Sequence, residues 1–412
     1  MSELILSVKK EPPRRPMNIR RLALLAGIGL AANPAGAAHS FLVKVENTAA
    51  LARPAEVIVL SWPEVLRRLP GALIDHVEVR DAAGARIAAQ VTNFEPDRRT
   101  GVADQLLFQH DFAAGEKLAV FTVSRTDRPL PPFPTLTFAR YVPERLDDFA
   151  WENDRIAHRT YGAGLETAAA GRSRMVSSGL DVWSKRVRYP IVDRWYLKGH
   201  NNYHVDQGEG LDMYDTGRSR GCGGTGIWDG RTLAVSHNYR RWRVLANGPI
   251  RSVFELDFDP WDAGGVRVSE TKRFTVDAGH NLDQIESTFT FSPPGGALTA
   301  AIGLGKHPEA VTTRTLDGAG GWLSLWEKYR KDGQLGTAIL LSPGALAGEA
   351  EDPYNYLVLA RIRSGVPLRY FAGAGWSRSG DFPSAEAWNT YLASWARRLR
   401  TPVTVSLDSP QP

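Results

Sequence analysis

Cysteine is almost missing from this chain. Cys222 is the only one in 412 residues, so no internal disulfide can form. Its isolation also removes the thiol pairs of metal ribbons and redox motifs. No run of five or more basic residues occurs, and a net charge of +5 is mild for this length, so a nucleic-acid partner is not indicated. The standard catalytic fingerprints are absent as well. There is no Walker-type phosphate loop, no dinucleotide fingerprint with a following acid, no HExxH and no nucleophile elbow. The apolar stretch from Leu22 to Ala32 is too short to stay in a bilayer as a spanning helix. Function must therefore be read from clusters of residues rather than from a single motif.

What the chain does have begins at its amino terminus. Arg20 and Arg21 precede the apolar stretch, and Ala35-Gly36-Ala37 supplies the small residues of a cleavage point. Residues 1–37 thus read as a signal peptide with an over-long start, Met17 being the true initiator. This predicts export to a periplasm or beyond, with no membrane attachment after cleavage. Short alternating segments such as FLVKVEN, AEVIVLSW, DQLLFQHDF and KLAVFTVSR follow, separated by turn residues. They predict a small β-sandwich over 38–126. A stiff proline-rich linker, DRPLPPFP, occupies 127–134. From 135 to 412 longer strands dominate, among them KRVRYPIVDRWY, GPIRSVFELDFD, VRVSETKRFTVD and LDQIESTFTF. One helix closes the region, capped by Ser384, with Trp388, Tyr391, Leu392, Trp395 and Leu399 recurring on one face as a core stripe. A last strand, PVTVSL, returns to a sheet. The fold class is all-β, a small sandwich feeding a large one. Twelve Trp and twelve Tyr either fill these cores or line a sugar-binding cleft.

Three clusters carry candidate chemistry. WENDRIAHRTYG gathers Asn153, Arg155, His158 and Arg159; read as one strand, alternation puts Asn153, Arg155 and Arg159 on one face and His158 on the other. In GLDVWSKRVRYP, Trp183 and Lys185 share a face, which suits an aromatic platform beside a cation, or else an exposed basic strand. The third is YHVDQGEGLDMYDTGRSRG, where glycines permit close backbone approach to a ligand. Its His204 is the leading acid–base candidate, with Tyr203 and Tyr214 as alternative proton carriers. Arg218 and Arg220 alternate and so offer a paired carboxylate clamp. A divalent cation on His204, Asp206, Glu209 and Asp212 is an alternative use of the same loop, although the spacing fits no standard ligand loop. Lys306-His307 and the loop WSRSGDF are weaker candidates to complete a cleft.

Taken in order, WENDRIAHRTYG, GLDVWSKRVRYP, YHVDQGEGLDMYDTGRSRG, LANGPIRSVFEL and WSRSGDF resemble the domain of unknown function 4861 family. The resemblance implies a secreted bacterial protein of polysaccharide degradation, with a galactose-mutarotase-like supersandwich as the large β region. It also implies an oligosaccharide dehydratase acting on a non-reducing-end uronic acid, as of ulvan fragments. No cofactor is expected from the residues, the divalent cation above being the alternative. Such an enzyme removes the C5 proton beside the carboxylate and expels the C4 oxygen. The chemistry of the residues then assigns His204, Tyr203 and His158 to proton transfer. Arg218, Arg220, Asn153 and Arg155 neutralise the carboxylate, and Trp183 and Lys185 hold the ring. A chain-cleaving lyase, a mutarotase-like epimerase and a sugar-binding protein are the alternatives. The sugar identity and the oligomeric state stay open.

Overall fold

Strand pairing in the computed structural model follows the alternation written in the sequence. The structure describes residues 39–94, 103–167, 174–199, 201–292, 296–329 and 331–409. The expected signal peptide lies outside these residues. Strands Ser40–Glu46, Val77–Arg80, Arg86–Ile87, Leu118–Arg125 and Thr404–Leu407 form one five-stranded sheet. A three-stranded sheet of Arg53–Ser61, Gln105–Phe112 and Ala89–Thr92 packs with it around Phe41, Ile58, Phe108 and Phe121. This is the small sandwich. One short helix, Trp62–Arg68, interrupts what the sequence reads as a strand end, and Trp62 and Val65 seal the core.

The large sandwich opposes an eight-stranded sheet to a five-stranded one across a single apolar core. Its longest hairpin joins Arg251–Ala263 to Val266–Asp277 through Gly264 and Gly265, at φ +67° and +87°. Left-handed backbone at both positions is what a two-residue hairpin turn demands, and glycine adopts it without strain. The register of this pair slips between Phe258 and Trp261, where Pro260 has no N–H to give the ladder. Inward positions of Val266–Asp277 alternate strictly, from Val268 to Val276. Two of them are charged: Glu270 and Lys272 pair with each other and with Thr225 inside the sandwich.

The helix Ala385–Arg400 lies on the outer face of the eight-stranded sheet, and Ser384 Oγ accepts from Ala387 N at 3.3 Å, as expected of its cap. Trp388, Leu392 and Trp395 pack on Leu282, Trp326, Leu340 and Phe371, so the aromatic stripe is core. The architecture is all-β with a C-terminal helix: a small β-sandwich and a large supersandwich. One more sheet, smaller and buried in all but its edge strand Phe138–Val142, positions the candidate site. Its order is Gly210–Leu211, Asp181–Lys185, Ile156–Thr160, Asp148–Glu152, Phe138–Val142, all antiparallel.

Candidate functional site

The small buried sheet corrects several expectations. WENDRIAHR is a hairpin, not one strand, and Asn153 is its turn. Asn153 Oδ1 accepts from the backbone N–H of Arg155 (2.8 Å) and Ile156 (3.0 Å). Its Nδ2 donates to the carbonyls of Asp277 (2.7 Å) and His280 (2.8 Å). All its hydrogen-bonding capacity serves the fold, so it does not face a ligand. KRVRYPIVDRWY likewise splits: the strand ends at Lys185, and Val192–Lys198 is helical. Trp183 is wholly buried between Trp195 and Tyr203, stacked at 5.4 and 5.0 Å, so it offers no platform to a sugar. Lys185 is buried too, and its Nζ donates to Glu152 (2.8 Å) and to the Asn153 carbonyl (2.7 Å). Alternation identified their shared face correctly, but both faces of this sheet are covered.

Arg155 remains partly exposed, and it and Arg188 both donate to Asp381 at 2.8 Å. The loop WSRSGDF therefore does meet the other blocks, through Asp381. Arg218 is exposed and lies over the Tyr354 ring at 4.7 Å. Arg220 is not its companion. It is buried, its Nη1 donates to Ser178 at 2.9 Å, and burial lowers its pKa to about 10. The tight turn from Thr216 to Ser219, closed by the Ser219 N–H to the Thr216 carbonyl (2.9 Å) with Gly217 at φ +44°, removes the alternation on which the clamp depended.

At the centre of the buried sheet sits Arg159. Its Nε donates to Asp181 Oδ2 (2.7 Å), Nη2 to Asp212 Oδ2 (3.0 Å) and Nη1 to Tyr203 Oη (3.3 Å). Tyr161 Oη also donates to Asp181, at 3.0 Å, and Asp148 approaches Arg159 at 3.7 Å. Three buried carboxylates around one guanidinium leave excess negative charge. Burial raises the pKa of Asp148 to about 7, with Arg159 and Arg145 opposing, and it raises that of Asp212 well above the usual range. Burial opposes the charge on Arg159, but Asp181 and Asp212 outweigh it.

His204 stands at the rim of this cluster, with its side chain 39% exposed. Its Nδ1 is 2.9 Å from the Asp212 carbonyl oxygen and 3.5 Å from Asp212 Oδ2. A carbonyl can only accept, so Nδ1 carries the hydrogen. In the neutral ring the basic lone pair is then on Nε2. The His204 ring touches that of Tyr203 (4.7 Å), and Arg145 Nε donates to Tyr203 Oη at 3.3 Å. Strand Gly210–Leu211 brings Asp212 to this place. A Cβ on Gly210 would lie 2.0 Å from the Ser184 carbonyl, so only glycine allows the pairing.

His158, by contrast, is buried. It stacks on Trp151 (5.4 Å), its Nδ1 is 3.1 Å from the Asp181 carbonyl, and burial lowers its pKa to about 4. It is a neutral core histidine rather than a proton donor to a ligand. His307 has charged partners instead. Nδ1 is 3.1 Å from both Glu327 oxygens and Nε2 is 2.9 Å from the Asp215 carbonyl, so both ring nitrogens face acceptors. The segment from Asp212 to Thr216 thus hangs between Arg159 at one end and His307 at the other.

The cation-cage alternative loses its ligands to cations. Asp206 pairs with Arg186, and Glu209 with Arg194 and Lys198, while Asp212 belongs to Arg159. Burial pushes Glu209 up, but hydrogen bonds from Lys198, Arg194, Tyr189 and Trp195 outweigh it and hold the acid at about 2. No cluster of three metal-ligating side chains occurs among the described residues. Residues that sequence reasoning missed are Arg145 and Asp181. Arg145 lies outside every block singled out, whereas Asp181 sits inside GLDVWSKRVRYP, two residues before Trp183 on the same strand.

The fold resembles solved structures about twice as long. A protein in the glycosyl hydrolase family 38 from Enterococcus faecalis aligns with TM-score 0.50 and 9% identity, over 90% of this chain and 48% of that one. An alpha-mannosidase from Enterococcus faecalis V583 aligns with TM-score 0.49 and 10% identity, over 90% and 46%. At such identity the likeness speaks to the fold alone. In sequence, an uncharacterized protein of Formosa agariphila is 31% identical over 382 residues, 89% of this chain and 93% of that protein. The matched family is described as a domain of unknown function (DUF4861) and spans residues 45–405. The chain belongs to the DUF4861 family.

Proposed function

We propose that this protein is a carbohydrate-active enzyme of the carbon–oxygen lyase class, acting outside the cytoplasm. It eliminates across C4–C5 of a non-reducing-end uronic acid in an oligosaccharide. The observation that carries this reading is the state of His204. It is the exposed member of the proton-transfer trio, its tautomer is fixed by Asp212, and a basic Nε2 results. Tyr203 and His158 are buried, which makes the former a positioning residue and the latter a core residue.

His204 Nε2 takes the C5 proton, and the electron pair left at C5 delocalises into the carboxylate. Arg145, whose Nε donates to Tyr203 Oη beside His204, neutralises that developing charge. The C4–O4 bond then breaks. With the other two candidates buried, the His204 imidazolium itself returns its proton to O4, releasing water. One group can serve both atoms only when the C5 hydrogen and O4 lie on the same ring face. Glucuronate has that geometry and galacturonate does not. The reading therefore favours glucuronate-configured ends.

The test is incubation with saturated oligosaccharides ending in glucuronate or galacturonate. Ultraviolet absorbance of the new C4–C5 double bond is the expected result, faster for glucuronate, with a mass loss of one water. Chain shortening in place of water loss would identify a polysaccharide lyase. Silence with both sugars would sink elimination altogether and leave the epimerase or binding reading. His204→Ala should lose at least about a hundredfold in turnover, the usual scale of a general base.

A further inference from the structure

Far from His204, a concavity of about 340 Å³ opens where strand Asn355–Arg363 turns into Pro367–Trp376. Arg361, Arg363 and Arg369 line it, and no acidic residue does. Arg361 and Arg363 are two apart on one strand, both exposed, so their guanidiniums project on the same face. Among the described residues no carboxylate lies within ion-pair distance of either, although more than half of the described arginines are ion-paired. Arg369 spends Nε and Nη2 on Glu286 Oε1 (2.8 and 2.6 Å), which leaves its Nη1 outside that bond. The floor is apolar: Val366, 54% exposed, with Pro367 and Leu368.

We propose that this concavity is a second saccharide-binding site, taking an anionic unit of a polysaccharide chain. A pyranose ring carries apolar C–H faces and a polar rim, matching an apolar floor edged by guanidiniums. Arg361 and Arg363 are like charges side by side while Arg369 is balanced by Glu286, and a carboxylate or sulfate relieves the repulsion between the first two. The site is separate from the catalytic one. Arg369 is seven residues before Trp376 on one strand, or about 23 Å at about 3.3 Å per residue. Arg186 lies over the Trp376 ring at 4.9 Å and pairs with Asp206, two residues beyond His204. A chain held at the arginines is thus tethered while its end is processed elsewhere, which raises the local concentration of ends. The choice of a sugar ligand rests on the carbohydrate reading given above; the anion site itself rests on the cavity.

Electrophoresis of the full chain through gels containing polygalacturonate, dextran sulfate or neutral dextran tests it. The wild-type protein should be retarded by one or both anionic polymers at low salt and not by dextran, and salt should release it. Retardation by polygalacturonate alone assigns a carboxylate, by dextran sulfate alone a sulfate, and by both a general anion site. Arg361→Gln/Arg363→Gln should weaken the retardation about tenfold, the scale of one or two charge-assisted contacts. Its turnover of short oligosaccharides should not change. Arg231→Gln/Arg267→Gln removes the same charge from two other exposed positions and should behave as wild type. No retardation of the wild type, or equal losses in the two double variants, would overturn the proposal. His204→Ala should still be retarded, so failure of the elimination reading and failure of this site are told apart.

Discussion

Lys185 looked in the sequence like a surface cation for a sugar, and in the structure it is one half of a buried ion pair. The partner, Glu152, also accepts from the backbone N–H of Ile191 and Val192, each at 2.9 Å, and so holds the start of helix Val192–Lys198. Removing the cation leaves a buried carboxylate short of a countercharge, which typically costs about 3–5 kcal/mol. Lys185→Ala should therefore lower the unfolding free energy read from urea titration by that order, with substrate KM little changed in whatever protein remains folded. A lost ligand contact would do the reverse, so the pair of measurements separates the two roles. Asp212 is different, since its backbone orients His204 while its carboxylate serves Arg159. Asp212→Asn keeps the carbonyl bond to His204 Nδ1. Turnover should fall less than in His204→Ala, because the tautomer survives.

The segment from Asp212 to Thr216 depends on the two elements that grip it, and one grip is sensitive to pH. Burial opposes the charge on His307, but the hydrogen bond and charge of Glu327 outweigh it, and the net pKa shift is upward from the usual 6.5. A group whose folded pKa is raised contributes stability that is fully present below its unfolded pKa. That contribution is lost as the pH rises through the folded value. The difference in unfolding free energy between wild type and Glu327→Gln should therefore be largest below about pH 6.5 and shrink toward alkaline pH. An anchor at Asp215 weakened in this way loosens the chain next to His204, so turnover should decline over the same alkaline range. Neither the clamp nor the Arg159 cluster is visible in sequence spacing. His307 and Asp215 are far apart in the chain, while Arg159 and Asp181 come from two separate strands and Asp212 follows a third. What spacing did show was local: the Tyr203–His204 pair, the two-residue alternations and the Ser384 cap. It failed where a turn intervened, as at Asn153 and Gly217, because a turn resets which face each side chain meets.

At the scale of the molecule the strands were readable because one side of most of them meets a core and the other meets water. Which strands join which sheet was not. The last strand illustrates this. Thr404–Leu407 follows the helix that covers the large sandwich, yet it pairs with Ser40–Glu46 of the small one, in register from Glu46–Thr404 to Val43–Leu407. Side chains reinforce the crossing. Arg398 donates to Glu56 at 2.7 Å, Arg53 donates to the Thr401 carbonyl, and Arg68 Nε donates to the Asp408 carbonyl at 3.1 Å. From the other side Gln90 Oε1 accepts from Ile250 N (2.9 Å) and Arg251 N (2.8 Å), and its Nε2 donates to the Arg251 carbonyl. These bonds tie the two sandwiches together by partners that neither replaces alone. Calorimetry of the full chain should therefore show one cooperative unfolding transition. Truncation after Arg400 exposes the edge of strand Ser40–Glu46 and removes the carbonyl partners of Arg53 and Arg68, while the helix keeps its packing on the large sheet. The truncated protein should show two transitions, the small sandwich melting first, and elimination activity should survive between them. A single transition shifted as a whole would mean that the contacts left in place, those of Gln90 and the Arg398–Glu56 pair among them, suffice to couple the two sandwiches.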